Sequence, residues 1–139
     1  DNQSAERLLW EAININPTNP QPYALLANYY RPLDRGKELD VLSKHLAVNP
    51  SSRDTLESIA QLFIDQKRHD EAVPYLERLL ALDGGDFFAN YNLGQIYRSK
   101  NECGRARSHL DAARLAASSS EEVKAVETAF RALDQTCAG

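Results

Sequence analysis

Short apolar stripes alternate with polar faces along the chain at helical spacing, and the stripes return at a fixed period. Leu9, Leu42, Leu76 and Leu110 are separated by 33, 34 and 34 residues, and Ala12, His45, Leu79 and Ala113 keep the same register. A second series, Leu26, Ile59, Leu93 and Val126, is followed four residues later by Tyr30, Phe63, Tyr97 and Phe130 and preceded three residues earlier by Tyr23, Leu56, Asn90 and Val123. Residues three and four apart stack on one face of an α-helix, so each series marks a helix with one buried stripe. Pro17, Pro50, Gly84 and Ser118 recur at the same phase and end the second helix of each unit. The period predicts helical hairpins in a row, a chain whose core lies between neighbouring units.

Small residues at Ala27, Ala60 and Gly94 in the first helices, and at Ala5, Ala72 and Ala106 in the second, let backbones approach closely. Taken with the Leu, aromatic and terminal Pro positions, these residues resemble the tetratricopeptide-repeat signature. The best match is YNLGQIY at 91–97, followed by Ala106, Leu110 and Ala113. The resemblance spans the whole chain and implies an all-α fold, a right-handed superhelix (α-solenoid) of antiparallel helical hairpins. About three units are expected, at 20–52, 53–86 and 87–119, between an N-terminal half repeat at 4–17 and a capping helix at 120–137. Together they form one domain over 1–139, expected to be part of a larger protein.

Each unit departs from the signature somewhere. Asn90 stands where a large apolar residue is usual, Glu38 replaces a small Ala, and His45 occupies another common Ala site. The turn RPLDRG, with Pro32 and Gly36, is short and accounts for the spacing of 33 there. In the capping helix Lys124, Glu127 and Arg131 alternate with Val123, Val126 and Phe130, the pattern of a solvating end unit. The first helix lacks its partner, so Leu8, Leu9, Trp10 and Ile13 are expected to expose apolar surface, to further repeats or to a second copy, with Leu8 and Trp10 as self-association candidates. The plainer expectation for Trp10 is that it packs on the next hairpin.

The resemblance also implies where a ligand sits, on the concave wall made by the first helices. Its inward positions include Gln21, Ala24, Leu25 and Ser58, and the candidate peptide-binding residues are Asn28, Arg31, Asp54, Glu57, Gln61, Asp65, Phe88, Tyr91, Asn92, Gln95 and Arg98. A carboxamide offers donor and acceptor together, so Asn28, Gln61, Asn92 and Gln95 suit an extended peptide backbone, with Phe88 and Tyr91 as aromatic anchors and Arg98 for a carboxylate. An ordinary solvated helix face explains the same residues one by one. Ala24 stands where the carboxylate-clamping branch of the family carries Lys, so that specificity is not expected.

Composition narrows the partner. The formal charge is −4 with pI near 5.4 and no basic stripe, which speaks against nucleic acid and leaves a protein or peptide. No apolar run approaches the roughly 18 residues a membrane span needs, so direct membrane insertion is not expected. His45, His69 and His109 lie in different units without metal-ligand spacing, and no phosphate-loop or nucleophile-elbow motif occurs. Neither metal, cofactor nor catalysis is expected.

Cys103 and Cys137 are 34 residues apart, one period, and so are neighbours in space. Both a disulfide and a pair of reduced thiols are open; a bridge implies a periplasmic or secreted home, and its absence a cytoplasmic one. The expected function is a scaffold that holds an extended segment of a partner in the groove, in assembly of a larger complex. The alternatives are a structural module that forms a homodimer through the first helix, or a regulatory segment of a multidomain protein.

Overall fold

Capping side chains set where most of the helices begin. Asp1, Asn19, Asp34, Ser52, Asp86 and Ser119 each accept a hydrogen bond from a backbone N–H two or three residues on, satisfying donors that a helix start leaves free. The computed structural model describes residues 1–138; Gly139, the last residue of the expected domain, lies outside the described residues. Among the described residues there are eight helices and no strand. They are α1 (Asn2–Ile15), α2 (Pro20–Tyr30), α3 (Arg35–Val48), α4 (Arg53–Asp65), α5 (His69–Leu82), α6 (Phe87–Ser99), α7 (Cys103–Ala116) and α8 (Ser120–Cys137). The fold is all-α and built of antiparallel hairpins, as the period predicts.

Packing divides the chain into two compact units, Asp1–Lys67 with α1 to α4, and the remainder from Arg68 with α5 to α8. In the first, α2 packs on α1 and α3, and α3 on α4, around buried Tyr23, Leu26, Tyr30, Leu42, Leu56 and Ile59. In the second, α6 packs on α5, α7 and α8 around Leu76, Leu79, Leu93, Leu110, Val126 and Leu133. Each such aliphatic side chain contributes about 1.5–3 kcal/mol on full burial.

Two positions of the repeat pattern come out exposed. Val123 is 44% exposed, whereas Tyr23 at the matching place is buried and stacked on His45 of the helix that follows it. No helix follows α8 among the described residues, so nothing covers Val123. Ala5 is exposed for the mirror-image reason, because its counterpart Ala106 packs on a preceding first helix and α1 has none among the described residues. Phe130 is half-buried, with the guanidiniums of Arg107 and Arg114 at 6.0 and 4.7 Å from its ring centre. Trp10 is half-buried too; its indole Nε1 donates to the Tyr30 hydroxyl at 3.4 Å and Lys44 Nζ lies 5.6 Å from its ring.

The polar departures are built in. Asn90 is only 2% exposed, and its amide donates to the carbonyls of Gly84 and Asp86, both at 3.1 Å. That leaves Oδ1 to accept from His109 Nδ1 at 3.0 Å, which fixes the proton on that nitrogen and ties α6 to α7. A disulfide joins Cys103 at the start of α7 to Cys137 at the end of α8, with alpha carbons 6.2 Å apart, and Arg107 donates to Asp134 at 3.0 Å between the same two helices.

At Gly94 helices α6 and α7 approach closely. A Cβ added there would lie 2.6 Å from Leu110 Cδ2 and 2.7 Å from its Cγ, and Leu110 is fully buried and has nowhere to move. Gly94→Ala is expected to destabilise the protein by about 1–2 kcal/mol, because overpacking outweighs the gain in helix propensity. Denaturant unfolding measures this, and a stabilised variant would show that the two helices are free to separate.

Candidate functional site

Helices α2 and α4 both pack on α3 in the first unit, and two adjoining concavities are lined by residues of all three helices and the turn after α2. The larger, about 370 Å³, is lined by Arg31, Arg35, Glu38, Asp54, Glu57, Ser58, Gln61, Leu62 and Asp65. The smaller, about 170 Å³, shares Arg31, Asp54 and Ser58 with it and adds Ala24, Asn28, His45 and Thr55 among others. Six of the residues singled out from the sequence, Asn28, Arg31, Asp54, Glu57, Gln61 and Asp65, are thus brought together on one face. The other five, Phe88, Tyr91, Asn92, Gln95 and Arg98, lie half-buried on α6 in the second unit.

A charge network builds the larger concavity. Glu38, only 1% exposed, accepts from Arg31 Nε at 2.9 Å and has Arg35 Nη1 3.0 Å from its second oxygen, without hydrogen-bond alignment. Arg35 also donates to Asp65 at 2.8 Å, and Gln61 donates to the other Asp65 oxygen at 2.7 Å. Burying one carboxylate between two guanidiniums is tolerable only because both are present. Arg35 and Glu38 were not among the candidate site residues. Their signal in the sequence was the acidic residue at a small-residue site, three positions after an arginine.

On α6 the amides serve their own helix. Asn92 donates to the Phe88 carbonyl at 2.8 Å, Gln95 to the Tyr91 hydroxyl at 3.3 Å, and Arg98 Nε to Gln95 Oε1 at 3.3 Å. Tyr91 stacks on Phe87 at 5.7 Å. These contacts hold the row of side chains in place and leave the Asn92 carbonyl oxygen as an acceptor.

His45 lines the smaller concavity from beneath. It is 7% exposed, stacked on Tyr23 at 4.7 Å between ring centres, and its Nδ1 lies 2.8 Å from the Thr55 hydroxyl, while Nε2 has no hydrogen bond. Burial lowers its pKa. His109 is lowered as well, by burial first and by the nearby Arg105 charge second, with Glu77 opposing. Among the described residues no helix is long and apolar enough to cross a membrane, and no group of three or more His, Cys, Asp or Glu is placed to hold a metal ion.

This geometry is that of a helical-hairpin repeat protein with a polar, concave surface on its first unit. Residues 63–130 match the family model described as a tetratricopeptide repeat, so this stretch is tetratricopeptide sequence and the resemblance of the chain to that family is borne out. No curated protein sequence matches the chain. Solved structures share the fold at low identity. A tetratricopeptide repeat protein from Parabacteroides merdae is 23% identical with a TM-score of 0.78; the match covers 96% of this chain and 52% of that one, so the chain spans about half its length. MamA from Desulfovibrio magneticus, from its position 41 to the end, is 18% identical with a TM-score of 0.69, covering 96% and 84%. PilW, a type IV pilus biogenesis factor, is 16% identical with a TM-score of 0.65, covering 94% and 68%.

The two depressed histidines give stability a pH dependence. The folded protein resists protonation that the unfolded chain accepts below its ordinary histidine pKa of about 6.5, so stability is full above that value and is lost as the pH falls toward the folded pKa values. The melting temperature is expected to drop between about pH 7.5 and pH 5. In His45→Leu, which installs the residue of the matching site at Leu79, the drop should shrink; an unchanged slope would remove His45 from the account.

Proposed function

We propose that the chain is a binding scaffold that holds an extended segment of a partner protein along the α2/α4 face, in assembly of a larger complex. The observation that carries this reading is the pair of adjoining concavities sharing Arg31, Asp54 and Ser58, with Asn28 and Gln61 exposed beside them. Exposed amides on a rigid helical wall recognise peptide backbone, and fixed charges beside them set register. Catalysis has no part in this reading.

A second reading, a homodimer through α1, draws on an apolar groove of about 480 Å³ between α1 and α2, lined by Ala5, Leu8, Leu9, Leu25 and Tyr29 among others, with Leu8 57% exposed. Peptides selected from a random library against the immobilised chain separate the two. Under the first reading, Asn28→Ala with Gln61→Ala weakens a selected peptide by about 1–2 kcal/mol, roughly tenfold, while the protein stays monomeric in light scattering. An unchanged affinity, or a dimer that Leu8→Lys dissolves, would move the function to α1.

We further propose an oxidising compartment, periplasmic or extracellular, on the support of the Cys103–Cys137 bond. Protein isolated from its host under thiol-blocking conditions should carry no blocked thiol. Cys103→Ser with Cys137→Ser should cost about 2–4 kcal/mol in denaturant unfolding. Two blocked thiols in the isolated protein would place it in a reducing compartment.

A further inference from the structure

Folded proteins leave very few buried polar atoms without a hydrogen bond, so those that exist mark places to search. Among the described residues two side-chain atoms are in this position, His45 Nε2 and Glu38 Oε2, the latter held by the Arg35 guanidinium at 3.0 Å without hydrogen-bond alignment. Glu38 lines the larger of the adjoining concavities and His45 the smaller. Both come from α3, on which α2 and α4 pack.

The charge of the larger concavity decides what fits. Four carboxylates line it, on Glu38, Asp54, Glu57 and Asp65, against two guanidiniums, Arg31 and Arg35. Arg35 is spent between Glu38 and Asp65, and Arg31 gives its Nε to Glu38. Arg53, outside the lining, offsets Glu57 at 3.0 Å. One negative charge is still in excess. An incoming anion would have to strip a guanidinium from a buried carboxylate, at the cost that breaking a buried pair carries. An incoming cation meets Asp54 at the exposed rim, where no ion pair among the described residues offsets it, with Glu57 and Asp65 beside it.

We propose that this concavity is the anchoring site for a basic side chain, arginine or lysine, of the bound segment. The proposal rests on the peptide-binding reading above and names the chemistry of its partner. The planar fork of an arginine donates to two carboxylate oxygens at once, so arginine is preferred over lysine. The acidic balance of the whole chain, −4, draws a basic segment in the same direction.

Amide NMR of the full chain, titrated with N-acetyl-arginine methylamide, N-acetyl-lysine methylamide and N-acetyl-glutamate methylamide, tests this. The arginine compound should shift Ser58, Gln61 and Asp65 saturably, more tightly than the lysine compound and less so as salt is raised. Asp54→Asn with Glu57→Gln, both at solvated positions, should weaken it about fivefold. Shifts that are scattered and unsaturable, stronger binding of the glutamate compound at the same residues, or indifference to the double variant would each overturn the proposal. Its failure is distinct from failure of the peptide-binding reading: a library-selected peptide that binds this face without any basic residue sinks the anchor and keeps the groove.

Discussion

Close approach of paired helices is the constraint on which the structure depends. Where Gly94 faces Leu110, the absence of a Cβ lets α6 and α7 meet at a distance no larger residue allows. Ala27 and Ala60 hold the matching places in the other first helices, and both are buried. Once the axes are this close, the large residues on either side, Leu93 and Tyr97 on α6 and Leu110 on α7, have little freedom in how they interlock. The faces turned away from the partner helix are then fixed in direction, and a row of side chains on them points one way.

Polar residues at core sites add register to that packing. Asn90 satisfies all its groups through two carbonyls and His109, and His45 links Tyr23 of α2 to Thr55 of α4 from its place on α3. Apolar residues slide past one another at small cost, whereas a buried amide out of register loses several hydrogen bonds together. The two pins differ in completeness. The Asn90 pin is closed, and the His45 pin keeps one nitrogen open.

Much of the fold was legible because a 34-residue period reports helix pairing directly. The residues at its core phases, Leu26, Ile59, Leu93 and Val126 with Leu42, Leu76 and Leu110, are all buried. The pattern fails at Ala5 and Val123, where the phase is right but the covering helix is absent among the described residues, and a period says nothing of which neighbours exist. At the candidate site the helical phase of Asn28, Arg31, Asp54, Glu57, Gln61 and Asp65 was readable. The roles of Arg35 and Glu38 were not, because a charged residue at a small-residue site reads as an irregularity until its partners are seen around it. Nor does phase show that Asn92 and Gln95 spend their donors on their own helix, a matter of rotamer rather than of position.

The site falls in the least regular unit for a physical reason. The spacing of 33 in this unit comes from a shorter first helix and not, as the sequence suggested, from a short turn: α2 has 11 residues where α4 and α6 have 13. The four residues that follow α2 place Arg31 and Arg35 each against one oxygen of Glu38. In the later units Lys67 and Asn101, 34 residues apart, both turn with positive φ, at 61° and 59°. A buried carboxylate held by two arginines stabilises less than the well-packed aliphatic core it displaces. A repeat built for stability alone would carry the usual Ala at 38 and a regular turn before it. Local rules broken at a net cost are characteristic of places where a chain does something besides fold. Here the broken rules converge on one concavity, where Glu38, Arg31 and Arg35 meet Asp65 and Gln61.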